Sequence, residues 1–426
     1  MKDLLLKNGT LLTPKGKRLA DLLVREGKIV EMGEGLSEEG VEIVDCEGKF
    51  VLPGVIDVHV HLREPGGEAK EDFLSGTAAA LAGGVTYVLD MPNNSPATIS
   101  RELLKEKREL VTSKAKVDFD LYMGAAINED GSTNVDEFLE SDAIAYKIYV
   151  GSSTGNLLVS KKEALEEIFA KVAEAGKLIC VHAEDEVMIQ QNMKLFEGQD
   201  DPMIHGKIRS EEVAYQSTKM VLHLARKYET RVNICHLSTK RELDEFAAFK
   251  SEKITCEVAP HHLFLTELEL ERQGNFAKMN PPLRREKDCK ALMEGIKNGL
   301  INMVATDHAP HLTSEKEQPY RAAPSGVPGL ETSLPLMLNA VNNGQLTLED
   351  VVRVMCAEPA QIFDLIGKGR LEVGADADLV IVDMDLEKTV ENGGPGAEFT
   401  KCKWSPFAGQ KLKGWPIKTM INGDFA

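Results

Sequence analysis

The chain has 426 residues, of which 42% are hydrophobic and 28% are charged, and it contains no low-complexity run. This composition is typical of a globular protein, and the length suits one large domain with a smaller one. The formal net charge of −18 argues against nucleic acid or an anionic membrane as a partner, because both bind basic surfaces. If the substrate is an anion, local cations must bind it against this overall field.

The cysteines and the N-terminal segment bear on where the protein works. Seven cysteines are scattered without a CxxC pair, as in a reduced, cytoplasmic protein. The first residues, MKDLLLKNGTLLTPKG, have neither a long apolar core nor a small-residue cleavage site, and no apolar run is long enough to span a bilayer. We therefore expect a cytoplasmic protein without a signal peptide.

Both ends of the chain predict β structure. Short alternating stretches occur near the N-terminus, and ADLVIVDMD and KTMINGDFA match them at the other end. Three dipeptides indicate hairpin turns: Asn8-Gly9, Glu26-Gly27 and Asn422-Gly423. Neither end has enough strands for a stable core by itself. We predict that residues 1–52 and 370–426 together form a small discontinuous β-sandwich domain.

Eight short β-branched or apolar runs lie between these ends, separated mostly by helical or mixed segments. They span 51–61, 84–92, 118–127, 143–151, 177–185, 231–239, 254–262 and 301–309. The intervening SKKEALEEIFAKVAEAGK repeats its apolar residues at helical spacing. Eight successive βα units predict an α/β fold, a parallel (β/α)8 TIM-like barrel over residues 53–369, whose active site lies at the C-terminal ends of the strands.

Residues that can bind metal occur where the predicted strands end. His59 and His61 end the first strand, and they share one face because side chains alternate along a strand. Residues of the same kind at the ends of later strands are Lys147, His182, His236 and Asp307. Imidazoles and a carboxylate that converge on a barrel mouth can bind zinc or a similar ion. The sequence therefore predicts a metal site at this end of the barrel.

Several other histidines and cysteines have a simpler interpretation. A lone histidine is more often a hydrogen-bonded structural residue than a ligand, and a buried cysteine is usually a small filler. Residues interpreted as structural are His205, His223, His261, His262, His308, Cys180 and Cys235. For His261 and His262, which end the seventh predicted strand, a supporting role beside the metal site is the alternative.

Lys147 is unusual in a metal-binding set. Four histidines and one aspartate could hold two divalent ions only with an anionic bridge, and an ammonium group has no lone pair. Burial lowers the pKa of a lysine, and the free amine could add CO2 to give a carbamate, which is an anionic bidentate ligand. The alternative is an ion pair between Lys147 and a carboxylate at the barrel rim. These residues alone leave the two interpretations open.

Ten segments of the chain resemble the amidohydrolase superfamily and, within it, the dihydroorotase family. They are GVIDVHVHLREPG, MPNN, YKIYVGSSTGN, VHAE, CHLST, EVAPHH, KMNPPLR, ATDHAPH, APSGVPGLE and GRLEVGADADLVIVD. The resemblance extends over most of the chain, and it is the combination of motifs that makes it specific. It implies a cyclic amide hydrolase that reversibly condenses N-carbamoyl-L-aspartate to L-dihydroorotate and water in pyrimidine (UMP) biosynthesis.

The resemblance also implies two Zn²⁺ ions per subunit, bridged by carboxylated Lys147 and hydroxide. His59, His61, Lys147 and Asp307 would surround one ion, and Lys147, His182 and His236 would hold the other. Some relatives use an aspartate shortly after this position as the bridge. The segment IYVGSSTGN offers no carboxylate, which favours the lysine carbamate. Asp307 would transfer a proton from the attacking hydroxide to the leaving nitrogen, as a general base and then as an acid.

The residues implied in substrate binding are Arg63, Asn93, Asn280, His311, Ser325 and Gly326. Arg63 offers a planar fork of donors that matches a carboxylate, and it lies two residues beyond His61, on the same face if the strand continues. The alternative for Arg63 is a surface salt bridge with Glu64. The Pro- and Gly-rich loop 312–329 is either a lid or a static connector.

Two rival functions remain open at this point. An allantoinase or hydantoinase would share the fold and the metal site, but such enzymes usually lack the arginine after HxH, and their substrates need no carboxylate clamp. An inactive scaffold for aspartate transcarbamoylase would typically lose metal ligands, and every expected ligand is present. For partners, we expect a small-molecule substrate, a homo-oligomer (dimer or tetramer), and compatibility with an aspartate transcarbamoylase association.

Overall fold

The computed structural model describes residues 3–152 and 157–425, so residues 153–156 of the YKIYVGSSTGN motif lie outside the described residues. The strands are β1 (Leu4–Thr13), β2 (Gly16–Arg25), β3 (Lys28–Gly33), β4 (Glu42–Asp45), β5 (Phe50–Pro53), β6 (Val55–Val60), β7 (Val85–Asp90), β8 (Asp118–Leu121), β9 (Met123–Gly124), β10 (Tyr146–Tyr149), β11 (Leu178–His182), β12 (Arg231–Ile234), β13 (Ile254–Val258), β14 (Met303–Val304), β15 (Leu379–Thr389), β16 (Lys411–Ile421) and β17 (Asp424–Phe425).

The helices mostly follow the barrel strands. They are α1 (Phe73–Ala82), α2 (Arg101–Thr112), α3 (Val135–Leu139), α4 (Lys162–Glu174), α5 (Glu186–Leu195), α6 (His205–Ile208), α7 (Glu211–Tyr228), α8 (Lys240–Ala247), α9 (Pro260–Phe264), α10 (Leu268–Gln273), α11 (Glu286–Lys297), α12 (Thr313–Lys316), α13 (Ser333–Asn342), α14 (Leu348–Val352) and α15 (Glu358–Ile362). Within the described parts of the chain, none of these is both long and apolar enough to cross a membrane.

The strands from both ends of the chain form one eight-stranded sheet. Its order is β17-β16-β15-β5-β1-β2-β3, and β4 also pairs with β1. Strand β5 joins the two halves, since it pairs parallel with β1 and antiparallel with β15. Alternate residues face opposite sides, so Leu379 and Ile381 pack into the core of this sheet whereas Val380 and Val382 pack against the barrel.

Two of the three predicted hairpin turns are confirmed. Glu26-Gly27 joins β2 to β3 and Asn422-Gly423 joins β16 to β17, with positive φ at all four residues, as a two-residue turn requires. The prediction for Asn8-Gly9 is wrong. Asn8 also has a positive φ, of 58°, but the register shifts there within β1, which continues to Thr13. The dipeptide makes a bulge, because the same backbone conformation serves both features.

The (β/α)8 barrel is confirmed. Strands β6 to β8 form one run and β9 to β14 another, and Tyr122 separates β8 from β9 within the third barrel strand. The barrel closes where Val60 bridges to His308 and the His61 N–H donates to the His308 carbonyl at 2.8 Å. Apolar residues two positions before predicted ligands, such as Ala145, Cys180 and Ala305, belong to one buried cluster. The polar site therefore rests on a packed apolar floor.

The segment between β15 and β16 leaves the end sheet and packs on the barrel. Cys402, Trp404 and Phe407 belong to a buried cluster with Met279 and Val327, which come from loops at the strand ends. The Trp404 indole N–H donates to the His311 carbonyl at 2.8 Å. Part of the C-terminal region thus supports the barrel mouth, which the sequence did not indicate. The predicted domain boundaries after residues 52 and 369 stay a prediction.

Candidate active site

The predicted metal-binding residues meet at one end of the barrel, and all are buried. His59, Lys147 and His182 lie on β6, β10 and β11, whereas His236 and Asp307 follow β12 and β14. His236 and Asp307 have positive φ angles of 35° and 48°, which are unfavourable for residues with a Cβ. Backbone strain of this kind persists only where the surrounding structure imposes it, and it is concentrated at functional sites.

Three electron-pair donors converge in the first part of the site. The Asp307 carboxylate lies 3.0 Å from His61 Nε2 and 3.3 Å from His59 Nε2. The other ring nitrogens face oxygen acceptors, since His59 Nδ1 contacts Glu257 and His61 Nδ1 lies 2.7 Å from Asn93 Oδ1. If each Nδ1 carries the proton, both Nε2 lone pairs point at a carboxylate, and a cation is needed among them. This donor set fits a divalent metal ion.

Two further imidazoles form the second part. His182 Nδ1 and His236 Nε2 are 3.0 Å apart, and His182 Nε2 lies 3.0 Å from the Glu184 carboxylate. If Glu184 accepts a hydrogen bond from the Nε2–H, the His182 Nδ1 lone pair is directed at His236. His236 Nδ1 is buried and has no hydrogen-bond partner among the described residues. These two histidines offer two further nitrogen lone pairs that a metal ion could use.

Burial favours the neutral form of three histidines of the site. It lowers the pKa of His59 and His236 well below the ordinary value, and the Lys147 charge adds to this effect at both rings. The pKa of His182 is lowered as well, by burial, although Glu184 opposes the shift. A neutral imidazole offers a lone pair, so the electrostatics of the site favour metal binding over protonation.

Lys147 lies beside both groups of ligands. Its Nζ is 3.5 Å from His59 Nε2 and donates to Cys235 Sγ at 3.1 Å, and no carboxylate of the described residues lies within ion-pair distance of it. The rim ion pair is therefore not present. Burial acts to lower the pKa of Lys147, as expected, but Cys235, Tyr149 and Glu257 raise it overall, so the expectation of a lowered pKa is wrong. The acidic groups around the amine were not visible from strand spacing.

Two carboxylates that support the histidines were missed in the sequence. Glu257, on β13, contacts His59 and also accepts from Asn233 at 2.7 Å. Burial raises the pKa of Glu257 to about 7. Glu184 follows His182 by two residues, so the alternation of side chains placed it on the ligand's face and could have revealed it. Glu257 gave no such signal, because its strand has no predicted ligand.

Arg63 lies inside the barrel mouth and makes no salt bridge with Glu64. Its Nε donates to the Pro310 carbonyl at 3.2 Å, and its Nη2 lies 3.2 Å from His311 Nε2. The argument from strand alternation fails here, because β6 ends at Val60 and Arg63 has a φ of 62°. The tertiary contacts, rather than a continued strand, bring Arg63 beside His311.

The other residues predicted to bind substrate make contacts within the protein. Asn93 contacts His61, and the Ser325 carbonyl lies 3.0 Å from His311 Nε2. The Gly326 N–H donates to the Lys278 carbonyl at 2.9 Å, so this amide is engaged within the protein. Asn280 Oδ1 lies 3.0 Å from His205 Nε2.

His205 and the two histidines after β13 have structural contacts. His205 is buried and lies 2.9 Å from the Tyr320 hydroxyl, so it links Asn280 to the loop 312–329. His261 and His262 lie on α9 rather than on a strand, and His262 Nε2 lies 3.0 Å from the Pro281 carbonyl. Pro260 at the start of α9 ends the extended conformation, which explains why the predicted strand was too long.

The loop 312–329 is anchored by buried lysines. Lys316, on α12, donates to the carbonyls of Lys278, Pro324 and Gly326 at 2.9 to 3.1 Å. Lys278 in turn donates to the Tyr320 carbonyl at 2.7 Å. Three carbonyl acceptors around one ammonium hold the loop against the segment that carries Asn280, which favours the static connector over the lid.

We expect Glu184→Gln to weaken metal retention by about 10- to 100-fold, the usual effect of losing a carboxylate that orients a ligating histidine. The amide keeps the size of the side chain but can no longer fix the His182 tautomer or pair with Arg209, whose Nη1 contacts Glu184. Chelator competition with metal analysis would measure this. Glu163→Gln, on the exposed face of α4, is the matched control, and equal retention in both variants would contradict the role of Glu184.

The same substitution should change stability at acid pH. Burial opposes ionisation of Glu184, but Arg209 and His182 outweigh it and lower the pKa to about 2. A carboxyl with a lowered folded pKa stabilises the protein above its unfolded pKa, near 4.5, and this contribution is lost as the pH falls towards 2. Urea unfolding between about pH 5 and pH 3 should therefore show a steeper loss for the unchanged chain than for Glu184→Gln.

Comparison with known proteins identifies the family of this chain. The family model described as "Amidohydrolase family" matches residues 50–426. A dihydroorotase of Methanosarcina acetivorans is 39% identical, with 100% of this chain and 92% of the relative covered. A Bacillus cereus dihydroorotase is 36% identical, with 99% and 97% covered.

Solved structures with the same fold include hydantoinases. The L-hydantoinase (dihydropyrimidinase) of Arthrobacter aurescens superposes with a TM-score of 0.94 at 32% identity, covering 100% of this chain and 96% of the other. The dihydropyrimidinase of Brevibacillus agri NCHU1002 gives a TM-score of 0.92 at 25% identity, covering 99% and 94%. The match to the family model over most of the chain, with curated relatives along its whole length, shows that this chain belongs to the amidohydrolase family.

Proposed function

We propose that the protein is a dihydroorotase, which interconverts N-carbamoyl-L-aspartate and L-dihydroorotate in pyrimidine biosynthesis. The observation that carries the proposal is the buried Arg63 guanidinium, beside His311 and close to the metal-binding residues. Its fork of donors matches the carboxylate of dihydroorotate, which allantoin and hydantoins lack. In a chain of net charge −18, such a local cation also meets the need to capture an anion.

The residues of the site have distinct roles in this proposal. His59, His61 and Asp307 would hold one Zn²⁺ and His182 and His236 a second, with carboxylated Lys147 shared by both. When bound, two such ions would activate water and polarise the amide carbonyl. Asp307 stays ionised near neutral pH, because burial, which would raise its pKa, is outweighed by His59 and His61, and the pKa falls to about 2. Its carboxylate can therefore take the proton of the attacking water and pass it to the leaving nitrogen.

The substrate is bound through the chain's own donors. Arg63 would bind the carboxylate, and Asn93, His311 and Asn280 would complete this grip. The backbone at Ser325 and Gly326 would contact the pyrimidine ring. We further propose a cytoplasmic homo-oligomer, a dimer or tetramer, with the end sheet and the barrel as separate domains. An association with aspartate transcarbamoylase is compatible with this proposal.

A direct substrate test distinguishes the proposal from its rivals. The purified protein, supplied with zinc and bicarbonate, should open the ring of dihydroorotate. The change in absorbance measures this reaction. The hydantoinase-like structures favour one second candidate, a hydantoinase or allantoinase. Turnover of allantoin or hydantoin, with no turnover of dihydroorotate, would establish this second candidate instead. Absence of bound zinc together with absence of all turnover would indicate an inactive scaffold.

We expect Arg63→Gln to raise the KM for dihydroorotate by about 100-fold, because hydrogen bonds between charged groups contribute about 1.5–3 kcal/mol. The kcat should fall much less, since the guanidinium holds a part of the substrate that does not react. Steady-state kinetics would measure both constants. Arg370→Gln, at a half-exposed site on the surface, is the control. An unchanged KM would contradict carboxylate recognition by Arg63.

A further inference from the structure

A buried ion pair lies just outside the active site. Lys107 Nζ contacts Asp90 Oδ2 at 2.5 Å, and the two side chains are 1% and 0% exposed. Lys107 projects from α2 on the same face as the buried Leu104 and Val111, where an apolar residue is expected. Burying two charges costs free energy that their attraction alone rarely returns. A specific role for the pair would explain its position.

The pair joins the ends of two neighbouring barrel strands. Asp90, the last residue of β7, accepts from the Leu62 N–H at 2.6 Å through its other oxygen. Lys107 donates to the Met91 carbonyl at 3.1 Å and to Asn94 Oδ1 at 2.7 Å. Asn94 then donates to the Glu64 carbonyl at 3.0 Å. One ion pair thus ties residues 62–64, which follow β6, to residues 91–94, which follow β7.

Each of these segments carries a residue that faces the substrate in the proposed function. Arg63 lies between Leu62 and Glu64, both of which the network holds, and Asn93 lies between Met91 and Asn94, which it also holds. Arg63 adopts a φ of 62°, a conformation that a residue with a Cβ keeps only if its surroundings enforce it. The hydrogen bonds on either side of Arg63 supply this enforcement.

We propose that Lys107 and Asp90 are positioning residues that hold Arg63 and Asn93 in the geometry needed to bind the substrate carboxylate. This inference rests on the proposed function, because it assigns the pair to recognition of the carboxylate of dihydroorotate. Within the described residues, neither Lys107 nor Asp90 forms a side-chain hydrogen bond with the Arg63 guanidinium or with a predicted metal ligand. The pair therefore acts through the backbone and through Asn94, and the Asp90 charge also acts on the Arg63 guanidinium.

The test compares variants that open the network at different points. Lys107→Met removes the ammonium, and Asn94→Ala removes the link to Glu64 at a partly exposed position. Asp90→Asn combined with Lys107→Gln leaves a neutral, hydrogen-bonding pair and avoids an uncompensated buried charge. Lys105→Met, on the same helix but 77% exposed, is the control.

We expect Lys107→Met and Asn94→Ala to raise the KM for dihydroorotate about tenfold, because losing about 1.4 kcal/mol of binding corresponds to that factor. The kcat and the zinc content should stay within about threefold of the unchanged enzyme. The Kd of orotate, a planar ring with the same carboxylate, should rise in parallel when measured by calorimetry. The control should change neither constant.

Other outcomes separate the two proposals. An unchanged KM in folded variants, or a fall in kcat that follows loss of zinc, would overturn the positioning role while leaving the dihydroorotase function intact. If Lys107→Met does not fold, the same measurements on Asn94→Ala and on the double variant Asp90→Asn, Lys107→Gln decide whether the positioning role holds. A wild-type enzyme that neither turns over dihydroorotate nor binds orotate would overturn both proposals.

Discussion

Replacing Lys147 with alanine should reduce turnover of dihydroorotate by about a thousandfold, an effect in the range found when a group that stabilises the transition state is removed. Lys147 lies beside His59 and close enough to His182 and His236 for its charge to lower their pKa values. As a carbamate it would supply the anionic bridge that four neutral imidazoles and one aspartate lack. Alanine cannot add CO2, so the two-metal site should be lost.

Metal analysis and chemical rescue make this prediction specific. The Lys147→Ala variant should retain clearly less zinc than the unchanged protein, and short carboxylic acids such as acetate or propionate should restore part of the activity by occupying the position of the carbamate. Lys162→Ala, an exposed position on α4, is the control and should behave like the unchanged protein. Full activity of Lys147→Ala would refute the bridge.

Asp307→Asn should lower kcat by about 10²- to 10⁴-fold, the usual contribution of a general acid or base. Asparagine has almost the same shape, but its amide is no base, and it is a weaker ligand than a carboxylate. The Asp307 carboxylate lies within 3.3 Å of both His59 Nε2 and His61 Nε2, so it is placed to combine metal binding with proton transfer.

The kinetics of this variant should be read at saturating dihydroorotate, with the zinc content measured on the same sample. A lower kcat with the zinc retained would assign proton transfer to Asp307. A lower kcat together with loss of zinc would indicate that Asp307 acts chiefly in metal binding. Asp385→Asn, at a position that is 89% exposed, controls for the change of charge. A variant with unchanged kcat would exclude both roles.

Local patterns in the sequence were sufficient for the architecture. The order of eight apolar runs and intervening helices identified the barrel, because strand and helix periodicity are properties of neighbouring residues. Boundaries were less accurate. The eighth predicted strand, 301–309, shortens to Met303–Val304, and Asp307 beyond it has a positive φ rather than an extended conformation. The turn predicted at Asn8-Gly9 became a bulge, because local chemistry permits both.

The site was predicted to the extent that its residues lie at strand ends. The six predicted ligands are brought together because the C-terminal ends of parallel strands meet at one end of a barrel. They are His59, His61, Lys147, His182, His236 and Asp307. Arg63 lies at the site because it contacts Pro310 and His311, and not because the strand continues as predicted.

The sequence by itself determined the barrel, the end sheet and the group of candidate metal-binding residues, since each follows from short-range periodicity and from the chemistry of residues at strand ends. Only the tertiary structure decided which side chains support these residues and the neighbouring substrate-binding segments. Glu257 beside His59, Trp404 beside His311 and Lys107 beside Asp90 each join separate elements of the fold. Such pairs leave no pattern in either segment alone, because their energetic benefit arises only when folding removes water from both partners.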